Sequence, residues 1–164
     1  METKRLAGLE PAAVFGYFEE ICAIPHGSRN TKMISDYLVE FAKKNDLRYI
    51  QDADNNVILF GDATPGYEDH PAVILQGHMD MVCEKDADCP IDMATEGLDV
   101  THDGNVVYAR GTTLGADNGI AVAIIMALLV DKTIPHPAIE AIITVDEEIG
   151  LLGAASVDLT DIFL

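Results

Sequence analysis

The apolar run Ala72-Val73-Ile74-Leu75 leads straight into Gln76-Gly77-His78-Met79-Asp80, and this join constrains the chain more than any other feature. Four successive apolar residues after a polar stretch read as a buried strand. In an open α/β sheet, ligands bind just beyond the carboxyl ends of the strands. At that end stand a histidine and, two residues on, an aspartate. Imidazole is a good ligand for zinc, and a carboxylate close behind it can fix its tautomer and orientation. A lone His-x-Asp carries little weight. It matters here because two further segments repeat the arrangement.

In the second segment, Gly111-Thr112-Thr113-Leu114-Gly115-Ala116 forms a Gly-rich loop that delivers Asp117 to the start of a strongly apolar helix, residues 120–130. Taken alone, Asp117 reads as a helix cap, since a carboxylate there satisfies free N–H groups. The third segment is an apolar strand, residues 138–145, followed by Asp146-Glu147-Glu148-Ile149-Gly150. A solvated turn seldom ends a β-branched core strand with adjacent glutamates and then resumes with apolar residues. Core elements therefore end in the candidate ligands His78, Asp117 and Glu148. Hard oxygen donors with one imidazole suit zinc, manganese or cobalt. A catalytic zinc keeps a position open for water and lowers its pKa to about 7. Hydrolysis also needs a base that is not itself a ligand. Glu147 fits that role, because neighbouring side chains in an irregular segment can face different ways.

These segments resemble the metal-site motifs of the M20 metallopeptidases. Leu-Gln-Gly-His-Met-Asp-Met-Val-Cys-Glu-Lys at 75–85 is most similar to the Xaa-His (aminoacyl-histidine) dipeptidase branch. So are Gly-Thr-Thr-Leu-Gly-Ala-Asp-Asn-Gly-Ile-Ala at 111–121, Thr-Val-Asp-Glu-Glu-Ile-Gly-Leu at 144–151, and Ile24-Pro25-His26-Gly27-Ser28. The resemblance implies an α/β fold with a zinc-peptidase-like mixed central sheet flanked by helices. It implies two Zn2+ ions in an intact site, with Co2+ or Mn2+ as alternatives. His78 would bind one ion, Asp117 bridge both and Glu148 bind the other. Asp80 would orient His78, Glu147 would be the general acid/base, and a cis peptide would follow Asp117. The implied substrate is a small dipeptide, of Xaa-His type, and the implied assembly is a homodimer. Other M20-type peptidases and N-acyl amino acid deacylases share these motifs.

Family members run much longer. An inserted dimerisation or lid domain splits their catalytic domain, and two more metal ligands, an Asp and a His, lie further along. The expectation for residues 1–164 is a partial catalytic domain, with the lid domain and the C-terminal catalytic segment absent. It would hold half a metal site and show little or no activity by itself. A non-catalytic metal-binding or interaction module is the other outcome of such a truncation.

Composition sets outer limits. With 49% hydrophobic residues the chain can build a core. Acids outnumber Lys and Arg by 28 to 10, a formal charge of −18, which argues against nucleic acid and anionic membrane as partners. Cys22, Cys83 and Cys89 form no disulfide or C-x-x-C pattern. Cys22 reads as core, and Cys83 and Cys89 as bystanders near the site. The start, Met1 to Leu6, carries no apolar signal stretch, and a cytoplasmic protein is expected.

Along the chain, residues 11–23 read as a helix with Val14, Phe18, Ile21 and Cys22 on one face and Pro11 in its first turn. A second helix, 30–45, carries the stripe Met33, Ile34, Tyr37, Leu38 and Phe41. Strands at 47–51 and 56–60 flank an Asp/Asn-rich turn. Residues 84–103 read as an acidic surface excursion, and 106–109 as an edge strand. His26, His70, His102 and His136 read as solvated loop residues, with His26 set apart by its place in the entry motif but assigned no role. The apolar ending Phe163-Leu164 suggests an exposed apolar face.

Overall fold

The computed structural model describes residues 5–160 and 162. Helices α1 (Ala12–Cys22) and α2 (Lys32–Lys44) come first, then a hairpin of β1 (Arg48–Gln51) and β2 (Val57–Gly61). Next are β3 (Val73–His78), a short pair β4 (Val100–His102) and β5 (Val107–Ala109), and α3 (Ala116–Val130). Strand β6 (Ile139–Thr144) and the short α4 (Leu152–Ser156) follow.

The main sheet has the order β1-β2-β6-β3. β2 pairs antiparallel with β1 and β6, while β3 and β6 are parallel, with His78 beside Thr144. The sheet is mixed, as expected. Parallel neighbours require the chain to return between them, and α3 makes that return. Its N-terminus therefore lies at the end of the sheet where β3 and β6 both finish. This topology brings the three motif segments together.

One face of the sheet carries the main core. Phe18, Ile21 and Cys22 of α1, Ile34 and Leu38 of α2, and Val122 and Met126 of α3 meet Leu59, Ala141 and Ile143 of the strands. On the other face Ile58, Phe60 and Ile142 form a smaller cluster with Ile162. β2 and β6, central in the sheet, are buried throughout.

Several local expectations are revised. Pro11 is the N-cap of α1 and not part of its first turn. In α2, Ile34, Leu38 and Phe41 are buried but Met33 is 56% exposed. Ser35, Val39 and Ala42 complete the buried face instead. Ser35 is tolerated there because its hydroxyl donates to the Asn55 carbonyl at 2.8 Å. β3 is an edge strand, with Val73 and Ile74 each 42% exposed; an apolar run reveals a strand but not its place in a sheet. The acidic excursion ends in β4, which pairs with β5 as a separate ribbon, so residues 107–109 do not extend the main sheet. Residues 1–4, 161, 163 and 164 lie outside the described set, and with them most of the N-terminal stretch and the apolar ending. Among the described residues, no helix is long and apolar enough to cross a membrane.

Candidate metal centre

His78 is the last residue of β3, and the strand end buries it. Its Nδ1 lies 3.0 Å from the backbone carbonyl oxygen of Asp80. A carbonyl only accepts, so Nδ1 carries the proton and Nε2 presents its lone pair outward. That lone pair faces Asp117 Oδ1 at 3.2 Å. Two acceptors aimed at each other need a shared proton or cation between them.

Gly115 allows Asp117 to reach this position. It caps α3 in the left-handed conformation, φ 70°. A Cβ there would sit 2.7 Å from Met81 Sδ and 3.3 Å from His26 Nε2, so glycine alone fits. Asp117 and Asn118 are non-helical and joined by a cis peptide, the form the resemblance implied. The Asp117 side chain is 84% exposed and points at His78, not back into its own helix.

Glu147 and Glu148 follow β6 in a loop. Ligand atoms of His78, Asp117 and Glu148 all lie within 4.8 Å of one another. Among the described residues this is the group of His, Cys, Asp and Glu that converges in this way, and neither Cys83 nor Cys89 joins it. Glu147 Oε2 stands 3.8 Å from His78 Nε2, beside the ligand group. Burial first, then the carboxylates of Asp117, Glu147 and Asp80, push the Glu148 carboxyl above its ordinary value, while His78 pulls it down. Among the described residues no Lys or Arg pairs with any of these acids. A crowd of carboxylates with one imidazole and no basic side chain suits a divalent cation.

Asp80 is the buried hub of the centre. Its Oδ1 accepts the Glu147 N–H at 2.9 Å and its Oδ2 the Glu148 N–H at 3.4 Å. The hydroxyl of Ser28 donates to Oδ2 at 2.8 Å. Asp80 Oδ1 also lies 3.4 Å from His78 Nδ1. One carboxylate thus ties the end of β3 to the loop after β6. Sequence reasoning passed over Ser28; its place in the opening Pro-His-Gly-Ser motif was the available signal. Arg29, next along, donates its N–H to Asp146 Oδ1 at 2.6 Å.

His26 overturns its expectation as a solvated loop residue. It is 3% exposed, with Nδ1 2.5 Å from the Ile24 carbonyl and Nε2 unpartnered. Gly115 lies against its Nε2, a neighbour that no local pattern announces. Cys22 is buried as expected, and Cys83 is exposed.

Residues 74–160 match Peptidase family M20/M25/M40. Over 149 residues the chain is 38% identical to the cytosol non-specific dipeptidase of Escherichia coli (strain K12), covering 91% of this chain and 31% of that protein. The aminoacylhistidine dipeptidase of Vibrio alginolyticus superposes with a TM-score of 0.90 at 39% identity, over 93% of this chain and 31% of the other. A tripeptidase of Staphylococcus aureus superposes with a TM-score of 0.72 at 25% identity, over 90% and 39%. The chain belongs to Peptidase family M20/M25/M40. It spans 31% of the length of either dipeptidase.

Proposed function

We propose that the intact protein is a metal-dependent dipeptidase and that this chain is part of its catalytic domain. The observation that carries this reading is the convergence of His78, Asp117 and Glu148, with Glu147 free beside them. His78, Asp117 and Glu148 would hold the metal. Asp117, whose Oδ1 faces His78 Nε2, would be the ligand shared between two ions, and the donor set suits Zn2+, then Co2+ or Mn2+. When bound, such a metal supplies Lewis acidity, polarising a carbonyl and acidifying water.

The chain's own residues supply the rest. Glu147 Oε2 takes the proton of the attacking water and returns it to the leaving amine nitrogen. Asp80 holds His78 in the tautomer that binds metal and keeps Glu147 and Glu148 apart in their two roles. Likeness to enzymes named as a non-specific and an aminoacylhistidine dipeptidase supports small dipeptides, including Xaa-His, as substrates. The free cysteines and the cytosolic relative support a cytoplasmic protein, and the family resemblance supports a homodimer.

The test uses the full-length protein. Glu147→Ala is expected to keep its metal content and lose turnover of dipeptides by about 10²-fold or more. Wild-type turnover in that variant overturns the assignment. The tripeptidase likeness favours a second reading, a peptidase for longer substrates. A panel of di-, tri- and N-acyl substrates separates the two.

A further inference from the structure

The loop that presents Glu147 and Glu148 leaves β6 after Thr144 and re-enters regular structure at Leu152, the start of α4. Between these points the backbone is left-handed at Asp146 (φ 52°), Gly150 (φ 117°) and Leu151 (φ 58°). Such a loop does not hold its shape by propensity. Asp80 grips it from inside the centre, through two backbone N–H groups. A second grip comes from the opposite side, from a residue outside the ligand set.

That residue is Asn56, the last of the β1–β2 turn. The antiparallel register sets Val57 beside Ile143, so the turn lies at the end of the sheet where the ligands gather. Asn56 is 1% exposed. Its Oδ1 accepts the Val145 N–H at 3.0 Å, at the start of the loop. Its Nδ2 donates to the Gly153 carbonyl at 3.3 Å, in the first turn of α4 just past the loop. Nδ2 also donates to Asp52 Oδ2 at 2.7 Å, which anchors the amide in its own turn. Gly153 in turn donates its N–H to the Val145 carbonyl at 3.1 Å. The joint leaves no spare room: a Cβ on Gly153 would fall on the Val145 carbonyl oxygen and 2.5 Å from Asn56 Oδ1.

We propose that Asn56 is a positioning residue for the metal centre: by clamping both ends of the 145–153 segment it sets where Glu147 and Glu148 stand. It touches neither ligand nor substrate and acts through the backbone. Only an amide does this, since one end must accept from Val145 and the other donate to Gly153 and Asp52. The inference rests on the metal-dependent reading above.

The experiment compares full-length wild type with Asn56→Asp. The variant keeps the acceptor for Val145 but sets a carboxylate against the Gly153 carbonyl and the Asp52 carboxylate. Cobalt is titrated against a competing chelator and followed by its d–d absorption, alongside kcat and KM on a dipeptide. The expected result is cobalt affinity down about 10-fold, the range for residues behind a metal's direct ligands, with a shifted spectrum. A lower kcat at near-constant KM should accompany it. A folded variant with wild-type cobalt affinity and spectrum overturns the inference, whatever its thermal stability. Should Asn56→Asp fail to fold, Asp52→Asn at the more open end of the same joint must shift the cobalt spectrum in the same direction, and an unchanged spectrum overturns the inference equally. A wild type that takes up no cobalt would sink the metal reading itself. Identical uptake in wild type and variants sinks the inference alone.

Discussion

His26 and His78 sit at one end of the same sheet, and their surroundings give them opposite tasks. His78 gives its Nδ1 proton to a carbonyl and turns Nε2 toward acids. His26 keeps Nε2 buried, where it meets no hydrogen-bond partner. Burial there holds the imidazole below its ordinary pKa, against the opposing pull of the Ile24 carbonyl and Asp80. The consequence for stability has a definite sign. The unfolded chain takes up a proton at His26 near pH 6.5, while the folded chain resists until lower pH. Stability is therefore full above about pH 6.5 and falls as the pH drops through that value toward the folded pKa. In metal-free protein, urea unfolding between pH 7 and pH 5 is expected to lose more free energy for wild type than for His26→Gln. Equal losses would show that His26 is not kept neutral by the fold. The ligand candidates were legible in the sequence because each stands at the end of a long apolar run. His26 was not, because a residue that packs against it, Gly115, lies far along the chain.

At the scale of elements, the join between α1 and α3 carries the site. Asp117 lies two residues before Gly119, and a Cβ on Gly119 would come within 3.3 Å of the Phe18 ring and 3.6 Å of Ile21. The close approach of α1 thus fixes the start of α3, and with it Asp117. Phe18→Ala would open a cavity at that contact and should cost about 3–5 kcal/mol, read as a shift in the denaturant midpoint. A loss below about 1 kcal/mol would mean that α1 does not brace α3. Helical spacing of apolar positions disclosed α1 and α2, a continuous apolar run after a Gly-rich loop disclosed α3, and an Asp/Asn-rich turn between two short strands disclosed the β1–β2 hairpin. It could not disclose that β3 is an edge, which depends on which strands pair and not on what each contains. β4 escaped notice because three residues, Val100 to His102, are too few to set a pattern. Asn56 reads in the sequence as the first residue of a strand; its double grip needs Val145 and Gly153, 89 and 97 positions away.

At the scale of the whole molecule, the formal charge of −18 offers two routes by which cations could stabilise the protein. Any salt screens the mutual repulsion of exposed acids, because the Debye length shrinks from about 30 Å at 0.01 M to about 8 Å at 0.15 M. A divalent ion can also bind at one place, where His78, Asp117 and Glu148 converge. The two routes differ in shape. Screening is gradual, depends on ionic strength and is indifferent to any single acid. Site binding adds RT ln(1 + [L]/Kd), about 2.7 kcal/mol at a hundredfold excess over Kd, and depends on each ligand. Thermal unfolding of the metal-stripped full-length protein should therefore rise slowly with NaCl in wild type and in Glu148→Gln alike. With ionic strength held constant, zinc should raise the midpoint of wild type well beyond that of Glu148→Gln, and a chelator should reverse the gain. A zinc effect that survives undiminished in Glu148→Gln would place the ions on the general acidic surface and remove Glu148 from the ligand set. The dependence on one side chain out of 28 acids is what separates a built centre from a charged exterior.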